Sequence, residues 1–189
     1  MEKKTLGFAL CGSFCTYRAV LSALEALARD YRILPIQSQI SASTDSRFGE
    51  AADFRAEIER ICGNPIIDTI AAAEPIGPKR LLDALIIAPC TGNTLAKLAN
   101  GIADTPVTLA CKAHLRNERP VVIAVSTNDG LAGNARNLGA LLARRHFYFV
   151  PFGQDDAQNK PASLVAHMAQ LPETVALALV GKQLQPMLI

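Results

Sequence analysis

The sequence predicts an α/β protein: one Rossmann-like, doubly wound domain built on a mostly parallel sheet of about six strands. Three observations carry this. Short apolar runs with no polar alternation, residues 85–88 (LIIA) and 120–125 (PVVIAV), suit strands buried on both faces, as in a parallel sheet. Stretches with apolar residues at helical spacing lie between such runs, Val20, Leu24 and Leu27 being the clearest case. The chain has 189 residues, half of them apolar, which supports one well-buried core and not two. A single domain over residues 1–189 is therefore expected.

In chain order, residues 5–11 read as the first strand, Gly12-Ser13-Phe14 as a turn and residues 16–30 as the first helix. Residues 32–37 form the second strand. A polar run from Ser38 to Arg47 follows and is expected to be a long loop. Residues 50–62 make a helix that Gly63 ends in a left-handed cap, and residues 64–70 a third strand. Pro89 is expected to end the strand of residues 85–88, and helices are expected at 94–100, 106–115 and 134–145. Residues 147–150 (FYFV) read as the last strand and 151–161 as a long polar connection. Residues 163–179 read as helix broken at Pro172. The apolar end of the tail, residues 186–189, is expected to pack on a neighbouring chain.

Two strand-to-helix loops stand out for chemistry. Gly12-Ser13-Phe14 permits close backbone approach, and Thr91-Gly92-Asn93-Thr94 places free N–H groups and two hydroxyls at a helix start. Such loops suit an anion or a phosphorylated cofactor. Ser38, at the neighbouring strand end, is expected to close the site. The first loop is no dinucleotide fingerprint, because Phe14 stands where a spaced glycine would be needed. Arg47 could hold a carboxylate or phosphate bidentately. The alternative is a solvated loop. Asn128, after the 120–125 strand, suits a carboxylate or cofactor contact, or equally a turn cap. Lys112, His114, Arg116 and Arg119 cluster at a helix end, where His114 is expected at the surface.

A formal net charge of +2 with mixed signs gives no reason to expect nucleic acid or an anionic membrane as partner. No window reaches the roughly 18 to 20 apolar residues of a membrane span. Five cysteines without regular spacing suit free thiols in a reducing, cytoplasmic compartment, and no metal site is expected.

Pro89-Cys90-Thr91-Gly92-Asn93-Thr94, continued by residues 99–104 (ANGIAD), resembles the Pro-Ala-Ser-Ala-Asn-Thr signature of the flavin-containing cysteine decarboxylase fold family. GSFCTYRAV, STDSRFGEAA, AAAEPIGPK, LRNERPVVIAVSTND and YFVPFGQDDAQNKP extend the resemblance over nearly the whole chain. It implies a flavoprotein-like fold and FMN at Gly12, Ser13, Phe14, Ser38 and residues 91–94. It also implies self-association as trimers or rings of trimers. Within the family, the chain resembles the second component of a two-component oxidoreductase. That likeness implies a first component carrying NAD(P), a small dicarboxylate substrate contacted by Arg47 and Asn128, and a place in the mother-cell cytoplasm of a spore-forming bacterium.

One departure matters. The decarboxylases carry a catalytic His shortly before the Asp that precedes the next strand. Counting back from Asp83 places it at or beside Pro75, and the histidines here are His114, His146 and His167. Family-type decarboxylation is thus not expected, and no residue is assigned as catalytic. A non-enzymatic assembly subunit with a phosphate-shaped pocket is the remaining alternative.

Overall fold

A computed structural model describes residues 3–189. Four parallel strands form its centre: β1 (Thr5–Leu10), β2 (Arg32–Gln37), β3 (Ala84–Cys90) and β4 (Val121–Thr127), in the order β2-β1-β3-β4. Every residue of β3 is buried, as are six of the seven in β4. That explains why both read as unbroken apolar runs: helices cover the two faces of the sheet. The amphipathic helix α1 (Tyr17–Asp30) turns Val20, Leu24 and Leu27 inward and packs with α3 (Ala51–Cys62). Gly63 ends α3 at φ 61°, the left-handed cap its position called for. Beyond β3, α5 (Gly92–Ala99) packs with α6 (Pro106–Leu115) and α7 (Ala135–Leu142).

The outer edge of β4 is divided between two partners. Its first half pairs in parallel with β5 (Phe147–Phe149), while Ser126 and Thr127 at its end pair antiparallel with β7 (Leu164–Ala166). The two-residue strand β6 (Phe152–Gly153) then pairs with β7, so among the described residues the sheet has seven strands and a small antiparallel corner. The expected helix over 163–179 is therefore overturned in its first part. Leu164 and Ala166 are buried by strand pairing, and helix α8 runs only from Leu171 to Ala178. Pro172 sits in its first turn, where a missing N–H costs nothing, so it starts the helix instead of breaking it.

Other expectations change as well. Residues 64–70 form no strand: Ile67 alone bridges Ile36, and Thr69 caps the short helix α4 (Ile70–Ala73) by accepting from the Ala72 N–H at 3.1 Å. Pro89 does not end β3, which continues to Cys90 through a register shift against β4. The polar run after β2 is partly helical, as α2 (Gln39–Ser43), with Ser38 as its N-cap. Ser41 is fully buried there, bonded to Tyr17 Oη at 2.6 Å and receiving Gln37 Nε2 at 3.0 Å. The tail packs on its own chain. Phe152 N–H donates to the Met187 carbonyl and Ile189 N–H to that of Phe152, although Leu188 stays 70% exposed.

His114 is not at the surface. It is 1% exposed, and Nε2 meets the Pro120 carbonyl at 3.1 Å, so Nε2 carries the hydrogen. Burial is the main cause that lowers its pKa from 6.5 to about 4; the Pro120 bond opposes this and Arg119 adds to it. Between those values the unfolded chain takes up a proton that the folded chain excludes, so stability falls as pH drops through the window. From pH 7 to pH 5 the loss should be about 2 kcal/mol. Urea denaturation at both pH values should show His114→Gln losing about that much less than the parent. Equal losses would refute the assignment.

Candidate functional site

Because β1 and β3 lie side by side in parallel, with Ala9 opposite Ile87, the loops that follow them leave the same edge of the sheet. β2 flanks β1 on the other side, so this is where the strand order reverses, the place where open α/β sheets leave a crevice. The end of β4 reaches the same place, and Ser13 Oγ lies 2.7 Å from Ser126 Oγ. A cavity of about 690 Å³ opens there. Gly12, Ser13, Phe14, Thr91, Gly92, Asn93 and Asn128 all line it, as the sequence led us to expect of a site. A second cavity of about 450 Å³ adjoins it, sharing Gly12, Thr91 and Asn93 and adding Ser38 and Thr94. Arg47 lines neither; its guanidinium lies over the Phe48 ring, 4.9 Å from the centroid, and Phe48 lines the larger cavity in its place.

The start of α5 borders both cavities. Its N-cap Thr91 is extended (φ −77°, ψ 160°), and its hydroxyl caps no N–H but meets Thr94 Oγ1 at 3.2 Å. The first N–H groups of the helix are therefore left without side-chain acceptors, which is the donor set that an anion uses. Thr94 itself turns inward: 7% exposed, its hydroxyl donates to Cys11 Sγ at 3.3 Å. Burial pushes the Cys11 thiol up to about 11. Free helix-start N–H groups, the Ser13 and Thr91 hydroxyls and the Cβ-free approach at Gly12 fit the phosphate of FMN. The contacts would be neutral donors, since among the described residues the cations that line the two cavities are paired, Lys160 with Asp155 at 3.2 Å and Lys97 with Asp104 at 2.8 Å.

A second polar cluster faces the cavity from the end of β4. Both carboxylate oxygens of Asp129 accept from Asn134 Nδ2, at 2.9 and 2.8 Å, and one accepts from the Thr127 hydroxyl. Asn137 Nδ2 donates to Asn134 Oδ1 at 2.8 Å, which fixes the orientation of the Asn134 amide. Gly92 makes room for the group. A Cβ there would lie 2.5 Å from Asn134 Nδ2, 2.6 Å from Thr127 Oγ1 and 2.8 Å from Asp129 Oδ1. Sequence reasoning singled out Asn128 and missed its neighbour. The available signal was the STND run directly after a buried strand, which places several polar groups at a carboxyl edge. Nothing local marked Asp155 and Lys160, which tertiary pairing of β6 with β7 brings in.

A family model described as Flavoprotein matches residues 1–150. The chain belongs to the Flavoprotein family. Its whole length is 47% identical to the B subunit of dipicolinate synthase from Bacillus subtilis (strain 168), covering 95% of that protein. Its fold is similar to a crystal structure of the corresponding dipicolinate synthase component from Bacillus halodurans C, with a TM-score of 0.90, 47% identity and coverage of 98% of this chain and 96% of that one. An FMN-dependent cysteine decarboxylase from thioviridamide biosynthesis is more distant, at 27% identity and a TM-score of 0.59 over 75% of this chain and 86% of that one. The family match ends at Val150, just before the β6–β7 corner that supplies Asp155 and Lys160.

Gly92→Ala tests the crowding at this site. The added methyl must displace hydrogen-bonded side chains, at a cost of about 1 to 3 kcal/mol, against a gain in helix propensity of at most about 1 kcal/mol. Denaturant titration should show net destabilisation. A variant as stable as the parent would mean that the Asp129 cluster relaxes without cost.

Proposed function

We propose that this chain acts as the B subunit of a dipicolinate synthase. With a nicotinamide-dependent A subunit it oxidises dihydrodipicolinate to dipicolinate in the cytoplasm of the mother cell of a spore-forming bacterium. The observation that carries this reading is the likeness to the two dipicolinate synthase components, which runs past the family's common part and through the β6–β7 corner and tail. Among the described residues no helix is long and apolar enough to cross a membrane, which fits that setting.

The division of labour follows from the chemistry of the site. The spaced glycines of a nicotinamide fingerprint are missing after β1, so the NAD(P) belongs to the A subunit in this reading. FMN, when bound, supplies reversible redox chemistry, and Gly12, Ser13, Thr91 and the N–H groups of Gly92 and Asn93 would hold its phosphate. Phe14, packed on Tyr17 at 5.2 Å between ring centroids, gives the same cavity an apolar wall. Asn128, exposed at the end of β4, offers its amide to a substrate carboxylate. Self-association as trimers or rings of trimers belongs to the proposal too, with exposed Ile102 beyond the end of α5 as apolar surface.

The likeness to a cysteine decarboxylase raises a second reading, FMN-dependent decarboxylation. The position of the family's catalytic His falls at Glu74–Ile76, a 3-10 turn whose Ile76 is buried and none of whose residues lines either cavity. No side chain of these three residues reaches the site to serve as the acid or base of that chemistry.

Assays of the chain alone, the A subunit alone and both together test the proposal. Dipicolinate should form at full rate only with both, and Asn128→Ala should raise the Michaelis constant of the pair about ten-fold with little change in kcat. Turnover by this chain alone with a nicotinamide cofactor would overturn the division of labour. An absorbance scan of the purified protein should show a flavin band.

A further inference from the structure

We propose that Asp129 is the proton acceptor of the reaction, an inference that rests on the dipicolinate-forming reading above. Four titratable side chains line the larger cavity among the described residues: Cys15, Asp129, Asp155 and Lys160. Asp155 and Lys160 are paired with each other. Cys15 lies 3.7 Å from the Ser13 hydroxyl, and among the described residues no acid or base is hydrogen-bonded to its thiol. Asp129 differs from these in two respects. It forms no ion pair among the described residues, and three hydrogen bonds from neutral donors hold its carboxylate in one orientation.

The surroundings indicate a group placed for use. Asn134 and Asn137, which hold it, are 8% and 7% exposed, whereas Asp129 itself reaches the cavity. Gly92 leaves space beside the carboxylate that a side chain would fill: a Cβ there would lie 2.8 Å from Asp129 Oδ1. A carboxylate facing a site for an anionic ligand is repelled by that ligand unless it meets a hydrogen on it. Asp129 therefore meets the part of the substrate that carries a transferable hydrogen, while a carboxylate of the substrate turns to the Asn128 amide.

Converting a dihydropyridine dicarboxylate to the pyridine removes two hydrogens. One leaves with its electron pair as hydride to the nicotinamide of the partner subunit. The other leaves a ring carbon as a proton: its C–H bond breaks, the electron pair becomes the new ring double bond, and an O–H bond forms on Asp129. The proton then passes to solvent through the open mouth of the cavity. A base in position is the ordinary requirement for such a step, and it contributes about 10²- to 10⁴-fold.

The test uses this chain reconstituted with the A subunit. Asp129→Asn should lower kcat about 10²-fold or more while the Michaelis constant moves less than about three-fold. Asp129→Ala should regain rate on addition of formate, which a merely structural role would not allow. If Asp129→Asn does not fold, Asp129→Glu takes its place: it keeps the charge but moves the carboxylate by one methylene, and a lower kcat at a similar Michaelis constant is expected. Should the parent pair form dipicolinate while these variants match its kcat, or should formate restore nothing, the role of Asp129 is refuted and the dipicolinate-forming reading stands. An inactive parent pair would instead refute that reading and this inference with it.

Discussion

The parallel pairing of β1 with β3 is the constraint on which the rest of the structure depends. Two adjacent parallel strands must send their following segments off the same edge, and right-handed crossovers then carry them to opposite faces of the sheet. The crevice between the departing loops is a consequence of connectivity and needs no special residues to exist. What the residues decide is its chemistry. Gly12 keeps the first loop close, and the uncapped start of α5 leaves donors pointing into it. Substituting a capping acid at Thr91 would satisfy the helix and remove the anion site, so local helix stability and ligand binding oppose each other at this position.

Two kinds of polar group meet at that edge, and their partners distinguish them. Tyr17 and Gln37 are buried and both bonded to the Ser41 hydroxyl, anchoring α2 against α1; their bonds end within the core, where Gln37 Oε1 has no partner among the described residues. Asn134 and Asn137 are nearly as buried, but their chain of donors ends on a carboxylate that reaches the cavity. A network that ends at an open face orients a group for something outside the fold. The difference lies in where each chain of hydrogen bonds terminates, since the residue types are similar.

The β6–β7 corner adds to this frame without altering it. β5 takes the first half of the β4 edge and stops, which leaves Ser126 and Thr127 with an open side that an antiparallel strand can use. β7 fills it, β6 pairs beyond, and the intervening loop swings Asp155 and Lys160 over the cavity. The tail then closes the edge of β6. Gly153 is needed there, because a Cβ would lie 1.9 Å from the Ile189 carbonyl oxygen.

The sequence by itself determined the fold class, the central strands β1 to β4, the amphipathic helices α1 and α3 and both anion-loop segments. Each is encoded locally: by apolar runs of strand length, by a 3.6-residue period, or by a small-residue turn between them. The same reading placed His114 at the surface, since a basic cluster after a helix looks the same whether one of its members points inward or out. It made residues 163–179 a helix, because Leu164-Val165-Ala166 suits either state and only the vacant edge of β4 selects a strand. It set Arg47 in the site, whereas its guanidinium lies over the exposed Phe48 ring and lines neither cavity. For Asp129 the local signal, a polar STND run after a buried strand, marked an edge of the sheet without singling out this residue. Its meaning comes from Asn134 and Gly92, five residues on and on another strand–helix unit, and only folding brings these within hydrogen-bonding or contact distance.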